Sequence, residues 1–600
     1  MITPMTRYSF LIYHKEYEVF LQNLQDIGVL HIAEKAEEYD EQTQKDLERI
    51  KELNNVLRVL SKRGKEEKPA DDNARAQDIV DDIKNMQEEV DNIEQTLVTL
   101  KKDIDKARPW GDFTDKMKQK LKELGLTPRF FVINEKYFDS DWENQYYLER
   151  INTVSGHLYF VIFQEGDQEV DVSAEEVQLP AESFSELDRK YDEKEKRIQE
   201  INKTIDEYAV KYQELLREER SRLQEQSDFN QAKNHTETQA EEKVMLLEGW
   251  VPVTKEEELK NFLEKANVVY VRSEVKEDDP SRVPILLRNN KFAKVFEPLQ
   301  KMIDLPNYYE IDLTPFFAPF FALFFGFCLG DVGYGIVILA AVTIYKHTKA
   351  KPGMKLYLTM AQYLGAATVI MGLIGGTVFG ISLTDIDWAS DVKNIVLSRD
   401  QLFNASLGLG ILQILFGMLL KAYRLWKFKG FQYSLSTFGW VLAVVSLIVY
   451  MGGDKLGWFS ASEAQIYFNG ALILSGVLIF FFSDPKVNIF MRIGKGVWDT
   501  YNTVTGVFGD VLSYIRLFAI GISTAILGFV INEIALTFGN IPYVGPVVFV
   551  LILVLGHLGN LLISSLSAFV HPMRLTFVEF YNNAGFTGGG KKYKPFTKSS

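Results

Sequence analysis

Read from its first residue, the chain changes its preferred solvent halfway along. Up to about residue 300 the apolar positions are separated by Glu, Lys, Asp and Gln; from 314 to 585 Leu, Ile, Val, Phe and Gly run almost unbroken. In the first half Ile79, Ile83, Met86, Val90, Ile93, Leu97 and Leu100 alternate steps of four and three, which is a heptad seam. Ile198, Ile201, Ile205, Tyr208, Tyr212 and Leu215 form a second. The segment between them carries the strand-like runs "RFFVIN" (129–134) and "HLYFVIF" (157–163). The simplest arrangement is an antiparallel coiled coil with a small α/β lobe at its tip; the alternative is two separate arms that pair with helices of other proteins. At the base of the coil "RYSFLIY" (7–13), a helix and "GVLHI" (28–32) read as β-α-β, and "VMLLEGWVP" (244–252), a charged helix and "NVVYVRS" (267–273) repeat that order. Two such units fit a ferredoxin-like sandwich.

In the second half apolar runs fall near 315–329, 331–345, 356–383, 402–420, 434–451, 466–483, 503–538 and 543–581. They predict a polytopic helical membrane domain of about eight segments, the first two joined tightly at "FGFCLGDVGYG". The loops at 346–355 and 421–430, the loop 484–496 with Lys486, Arg492 and Lys495, and the tail "KKYK" (591–594) are basic; "TDIDWASD" (384–391) is acidic and 452–465 is not basic. Starting from a cytoplasmic N-terminus, this places every basic loop inside. A helix over 503–538 would be about 54 Å long against a hydrocarbon core of roughly 30 Å, so the last two segments are expected to tilt strongly.

The expected fold is therefore mainly α. A cytoplasmic part covers 1–300, with a proximal lobe from 1–33 and 244–275, the coiled coil over about 40–108 and 183–240, and a distal lobe over about 110–180. A membrane domain covers 301–600. Six hundred residues with a mean hydropathy near zero fit this two-solvent chain. The single Cys328 excludes a disulfide framework and a thiolate metal site, and the N-terminus shows no basic stretch followed by an apolar one, so no cleaved signal is expected. No cofactor, metal or nucleic-acid partner is expected.

Chemistry concentrates on two membrane stripes. Asn502, Thr505, Gly509, Ser513, Arg516 and Ser523 share one helical face in the seventh segment, and Arg516 has no acid three or four residues away; Asp510 is six away. Its anion must come from another helix or another protein. In the eighth segment His557, Asn560, Ser564, Ser567, His571 and Arg574 follow steps of three and four, with Glu579 beyond. Ionisable groups aligned along a membrane helix mark an ion path; the competing reading is that they join helices by hydrogen bonds. "GFTGGGKK" (585–592) imitates a phosphate loop, but Lys592 stands where Ser or Thr belongs and no strand precedes it, so no nucleotide site is expected.

The motifs "GDVLSYIRL", "LSAFVHPMRLTFVEF", "GDVGYG", "ILQILFGMLLK" and "PNYYEIDLTPFFAPFF", with "GWVP" in the first half, resemble the membrane subunit a (subunit I) of V/A-type rotary ATPases, in its bacterial or archaeal form. The resemblance spans nearly the whole chain. It implies a non-catalytic stator whose soluble half braces peripheral stalks and whose last two helices abut a rotating proteolipid ring in the bilayer. Central-stalk and catalytic ATPase subunits would act on it indirectly. Ions, H+ or Na+, would reach the ring carboxylates through two offset half-channels. By the resemblance Arg516 is the essential arginine, Arg574 the second arginine, and His571 and Glu579 channel-region positions. Members of that family often carry a glutamate where this chain has Ser564, and many have an acid near Asn502, so the polar path here implies other groups or water. A self-contained secondary transporter, which would pass ions alone, and a purely structural tether are the competing functions.

Overall fold

The structure is a computed structural model and describes residues 1–33, 41–64, 74–165, 170–234, 237–239, 244–266, 268–275, 282–383, 396–453, 461–483, 488–539 and 541–598. The acidic loop 384–391, Lys486 and residues 454–460 of the loop 452–465 lie outside these residues. The chain divides into two compact units, Met1–Lys35 with Thr236–Phe596, and Ala36–His235 with Thr597–Ser600.

The first unit contains a sheet of strands His31–Ile32, Val244–Pro252, Met5–Tyr13 and Val269–Glu274, in that order, with neighbours antiparallel. This is the strand order of a split β-α-β pair. Alternation drives it: Tyr8, Phe10 and Ile12 point inward and are buried, and Phe20, Leu21, Leu24, Leu259 and Leu263 from helices Tyr17–Ile27 and Glu256–Ala266 are buried in the same lobe. Gly249, in "GWVP", is required by sheet closure, because a Cβ there would meet the His31 carbonyl at 2.7 Å.

The second unit holds four long helices, Glu41–Arg63, Ala76–Ala107, Phe184–Lys211 and Gln213–Asn234. Both heptad seams enter one apolar cluster: Ile79, Ile83, Ile93, Ile201 and Ile205 are buried together with Leu53, Val56, Leu60, Leu216 and Leu223. Ser183 and Glu186 form a capping box that starts the third of these helices. A four-stranded antiparallel sheet, ordered Tyr147–Val154, His157–Glu165, Leu126–Asn134 and Glu175–Glu176, makes the remaining lobe. One of its faces buries Phe131, Leu158, Phe160 and Ile162, the other Trp110, Phe130 and Val161.

The first unit continues into the apolar half of the chain. Helices Pro352–Gly375, Arg399–Lys429, Phe431–Met451, Phe490–Gly539 and Gly545–Ala584 are long and apolar enough to cross a membrane, and Thr314–Leu329, Val332–Thr348 and Gln465–Phe481 are shorter apolar helices. Thr314–Leu329 is the hub, with Phe317, Phe321, Phe324 and Leu329 buried in the main core. Gly326 lets it approach the helix over 355–375, since a Cβ would meet the Ala367 carbonyl oxygen at 2.5 Å. The hub helix ends at Gly330 in the left-handed conformation, and Asp331 then caps the next helix through the Tyr334 N–H at 3.1 Å.

The seventh apolar run departs from a single regular helix. It forms Ile489–Ser513 and Ile515–Gly539, interrupted at Tyr514, whose N–H reaches Val511 and whose carbonyl accepts from Leu517 in tighter turns. The cause lies on another helix. The Tyr514 ring packs on Gly410, where a Cβ would stand 2.3 Å from the ring, and its hydroxyl donates to Gln413 at 2.6 Å. The eighth run also departs: after Arg574 the helix opens into a π-turn over Leu575–Phe580 before closing as Tyr581–Ala584.

Candidate functional site

Arg516 lies two residues beyond the Tyr514 break and is partly buried. Its Nη1 is buried and has no hydrogen-bond partner, and among the described residues no carboxylate forms an ion pair with it. The polar groups around it fall into two sets along the helix pair that carries both stripes.

The first set precedes Arg516 on its helix. Asn583 donates to the Asp510 carboxylate at 2.6 Å and to the Glu579 carbonyl at 2.7 Å. The Glu579 carboxyl is buried, one oxygen without a partner, within electrostatic reach of Ser513, Asp510 and Arg516. The π-turn produces this meeting: the wider turn after Arg574 shifts the phase of Glu579 and Asn583 relative to the stripe before it. Such turns are frequent at functional positions.

The second set follows Arg516. The His557 ring nitrogens lie 2.8 Å from the Tyr334 hydroxyl and 2.9 Å from the Asn532 side-chain oxygen. Asn560 donates to the same hydroxyl at 2.8 Å and to the Thr524 carbonyl at 3.2 Å, and Ser564 donates to Asn560 at 2.9 Å. Behind Tyr334, the buried Asp331 carboxylate accepts from the Phe379 and Gly380 N–H groups, each at 2.9 Å. Gly380 presses on Gly528 so closely that a Cβ would meet its carbonyl carbon at 2.3 Å.

The structure thus separates the eighth-segment stripe into parts. His557, Asn560 and Ser564 are hydrogen-bonded within the chain, as helix-joining groups are. Ser567 and His571 are partly buried, and Arg574 is exposed, with His571 in the field of both arginines. On the other stripe Asn502 is exposed and Ser513 donates back to the Gly509 carbonyl at 3.1 Å. Sequence reading missed Tyr334, Asp331, Asn532, Asn583, Gln413 and Tyr514. Asn532 and Gln413, each a polar residue inside an apolar run, were detectable by the same cost argument that singles out Arg516. The partners of Tyr334 and Tyr514 lie on distant helices and leave no local mark.

A sequence profile of the V-type ATPase 116kDa subunit family matches residues 162–375. The V-type ATP synthase subunit I of Borreliella burgdorferi is 25% identical over 629 aligned positions, covering 100% of both chains. V-type ATP synthase subunit I 1 of Treponema pallidum is 24% identical over 99% of this chain and 100% of its own. The A-type ATP synthase subunit I of Methanocaldococcus jannaschii is 28% identical over 64% of this chain and 58% of its own length. With its long apolar helices the chain is a multi-pass membrane protein, similar over residues 162–375 to the V-type ATPase 116kDa subunit family and over its whole length to subunit I of bacterial V-type ATP synthases.

Proposed function

We propose that this chain is the stator membrane subunit of a V/A-type rotary ATPase. In this reading it forms two ion half-channels against a proteolipid ring and couples H+ or Na+ passage to rotation. One observation carries it: a permanent cation in an apolar helix whose Nη1 is buried without a partner. Such a charge is expensive in a membrane and never loses its proton. It needs an anion, and the ring carboxylate is the anion that arrives in turn. Beside the guanidinium that carboxylate favours its ionised form and releases its ion. The same charge bars direct leakage between the two paths.

The Asp510–Glu579–Asn583 set and the Asp331–Tyr334–His557–Asn532 network, on opposite sides of Arg516, support one access path on each side. Ser567, His571 and Arg574 line the stretch between them, and the exposed Asn502 and Thr505 extend the first. The basic loops favour a cytoplasmic N-terminal half and C-terminus, with eight segments crossing. The apolar stretch Phe490–Gly539 has 50 residues in its two helices, about 75 Å end to end if they run on in line past Tyr514, which favours a strong tilt in a core of roughly 30 Å. In the unit Ala36–His235, the helices and distal lobe would brace the peripheral stalks, and nucleotide hydrolysis would belong to the catalytic subunits.

The test is ATP-driven ion uptake by reconstituted complexes. Arg516→Ala leaves assembly intact and abolishes coupled uptake. Arg516→Lys fails as well, because a compact ammonium lacks the planar fork and can lose its proton. Normal uptake in an assembled Arg516→Ala complex overturns the mechanism.

A further inference from the structure

The segment that positions Glu579 and Asn583 runs straight into the glycine-rich tail. Residues 585–590 hold two carboxylates from the stretch before the first apolar helix. Glu310 is 7% exposed and accepts from the Thr587 N–H at 2.7 Å, the Thr587 hydroxyl and the Gly588 N–H at 3.3 Å. It also accepts from the Asn307 N–H at 3.0 Å and from Arg424 at 3.0 Å. Arg424, at the end of helix Arg399–Lys429, donates as well to the Gly585 carbonyl. Gly589 N–H donates to Asp304 at 2.6 Å. Backbone amides in a Gly-rich turn form an anion nest; here the anions are the chain's own.

We infer that Glu310 is a positioning residue for the ion path: it clasps residues 585–588 to Arg424 and thereby fixes Glu579 and Asn583 against Asp510. This rests on the stator reading above. Only Ala584, Gly585 and Phe586 lie between Asn583 and Thr587, so movement of the clasp is passed to Asn583 through three residues just past the end of the helix Tyr581–Ala584. Glu310 is buried and Arg424 partly so, where an unpartnered charge is costly; loss of the Glu310 charge leaves Arg424 without its carboxylate. A clasp that merely stabilised the fold would lower activity evenly at every pH. A clasp that holds a titrating cluster in place also displaces the pH profile.

The experiment uses the assembled, reconstituted complex carrying Glu310→Gln, with Ala584→Cys as a reporter. Ala584 is 4% exposed and the native Cys328 is fully buried, so a membrane-impermeant maleimide should spare both in the closed clasp. Expected in Glu310→Gln are labelling at position 584, ATP-driven uptake lowered about tenfold, as for one lost charge-assisted hydrogen bond, and a displaced pH profile. Continued protection at 584, wild-type uptake, or an unmoved pH profile overturns the proposal. Should Glu310→Gln fail to assemble, Thr587→Val, which removes one neutral donor, carries the same three readouts with smaller effects. Arg516→Ala is the control: it should abolish uptake and leave position 584 protected. Uptake by that control would defeat the stator reading while the labelling result still judges the clasp.

Discussion

Glu256 shows how much one carboxylate can contribute in the proximal lobe. Buried at the start of its helix, it accepts from Arg272 at 2.6 Å, from the Tyr8 hydroxyl at 2.9 Å and from Lys260 at 3.2 Å. Arg272 above all holds its carboxyl down to about 2, against the opposing effect of burial, while burial and the carboxylate push the Tyr8 hydroxyl up. The folded pKa lies below the ordinary 4.5, so this stabilisation is complete above that pH and fades as the pH falls towards 2. Glu256→Gln should cost roughly 2–3 kcal/mol at pH 7 and little near pH 2. Thermal melts of the purified chain at the two pH values check this, and an equal loss at both would refute it. The tail glycines give a second expectation at this scale. Their amides already hold Glu310 and Asp304, so calorimetric titration of the purified chain with Mg-ATP should give no saturable heat, and micromolar binding would contradict it.

Among the elements, the helices were largely legible and their irregularities were not. The heptad seams and apolar runs announce helices because burial repeats every three or four residues, and the paired β-α-β order was written in the alternation of Tyr8, Phe10 and Ile12. The break at Tyr514 depends on Gly410, about a hundred residues away, and the π-turn on how residues 575–584 pack against other helices. No local pattern encodes either. The stripe from His557 to Arg574 was legible as a face, but its partners were not, since Tyr334 and Asn532 come from separate helices. These contacts decide which stripe positions water should reach. A cysteine at Ser567 should react with water-soluble thiol reagents. One at Ser564, 6% exposed and bonded to Asn560, should be protected. Cysteines at Leu562 and Leu566, outward-facing on an apolar helix, should be shielded by lipid. Equal protection at all four positions would favour helix-joining over hydration. Helix crossing gives the other test: Gly326→Ala should lower the melting temperature of the solubilised chain, with an overpacking cost of roughly 1–3 kcal/mol. An unchanged melt would mean that the crossing is looser than the 2.5 Å approach implies.

For the whole molecule, the sequence displayed the split between a polar and an apolar half, but the compact units follow a different border. The proximal lobe belongs with the membrane helices, and the unit Ala36–His235 is inserted between two strands of one sheet. That unit has its own core, so a fragment over 36–235 should fold alone, with a helical circular-dichroism spectrum and one cooperative melt; a chain that stays unfolded would show that it borrows stability from the rest. The insertion also sets a timetable for biosynthesis. Met5 pairs with Pro252, so the first strand leaves the ribosome long before its neighbour exists. At about 5–20 residues per second the wait is tens of seconds. Tyr593 and Phe596, which bond the Val29 and Leu30 carbonyls, are made more than five hundred residues after them. The strand Met5–Tyr13 thus stays without its main partner until Val244–Pro252 has been made, and its sheet gains the Phe596 contact later still.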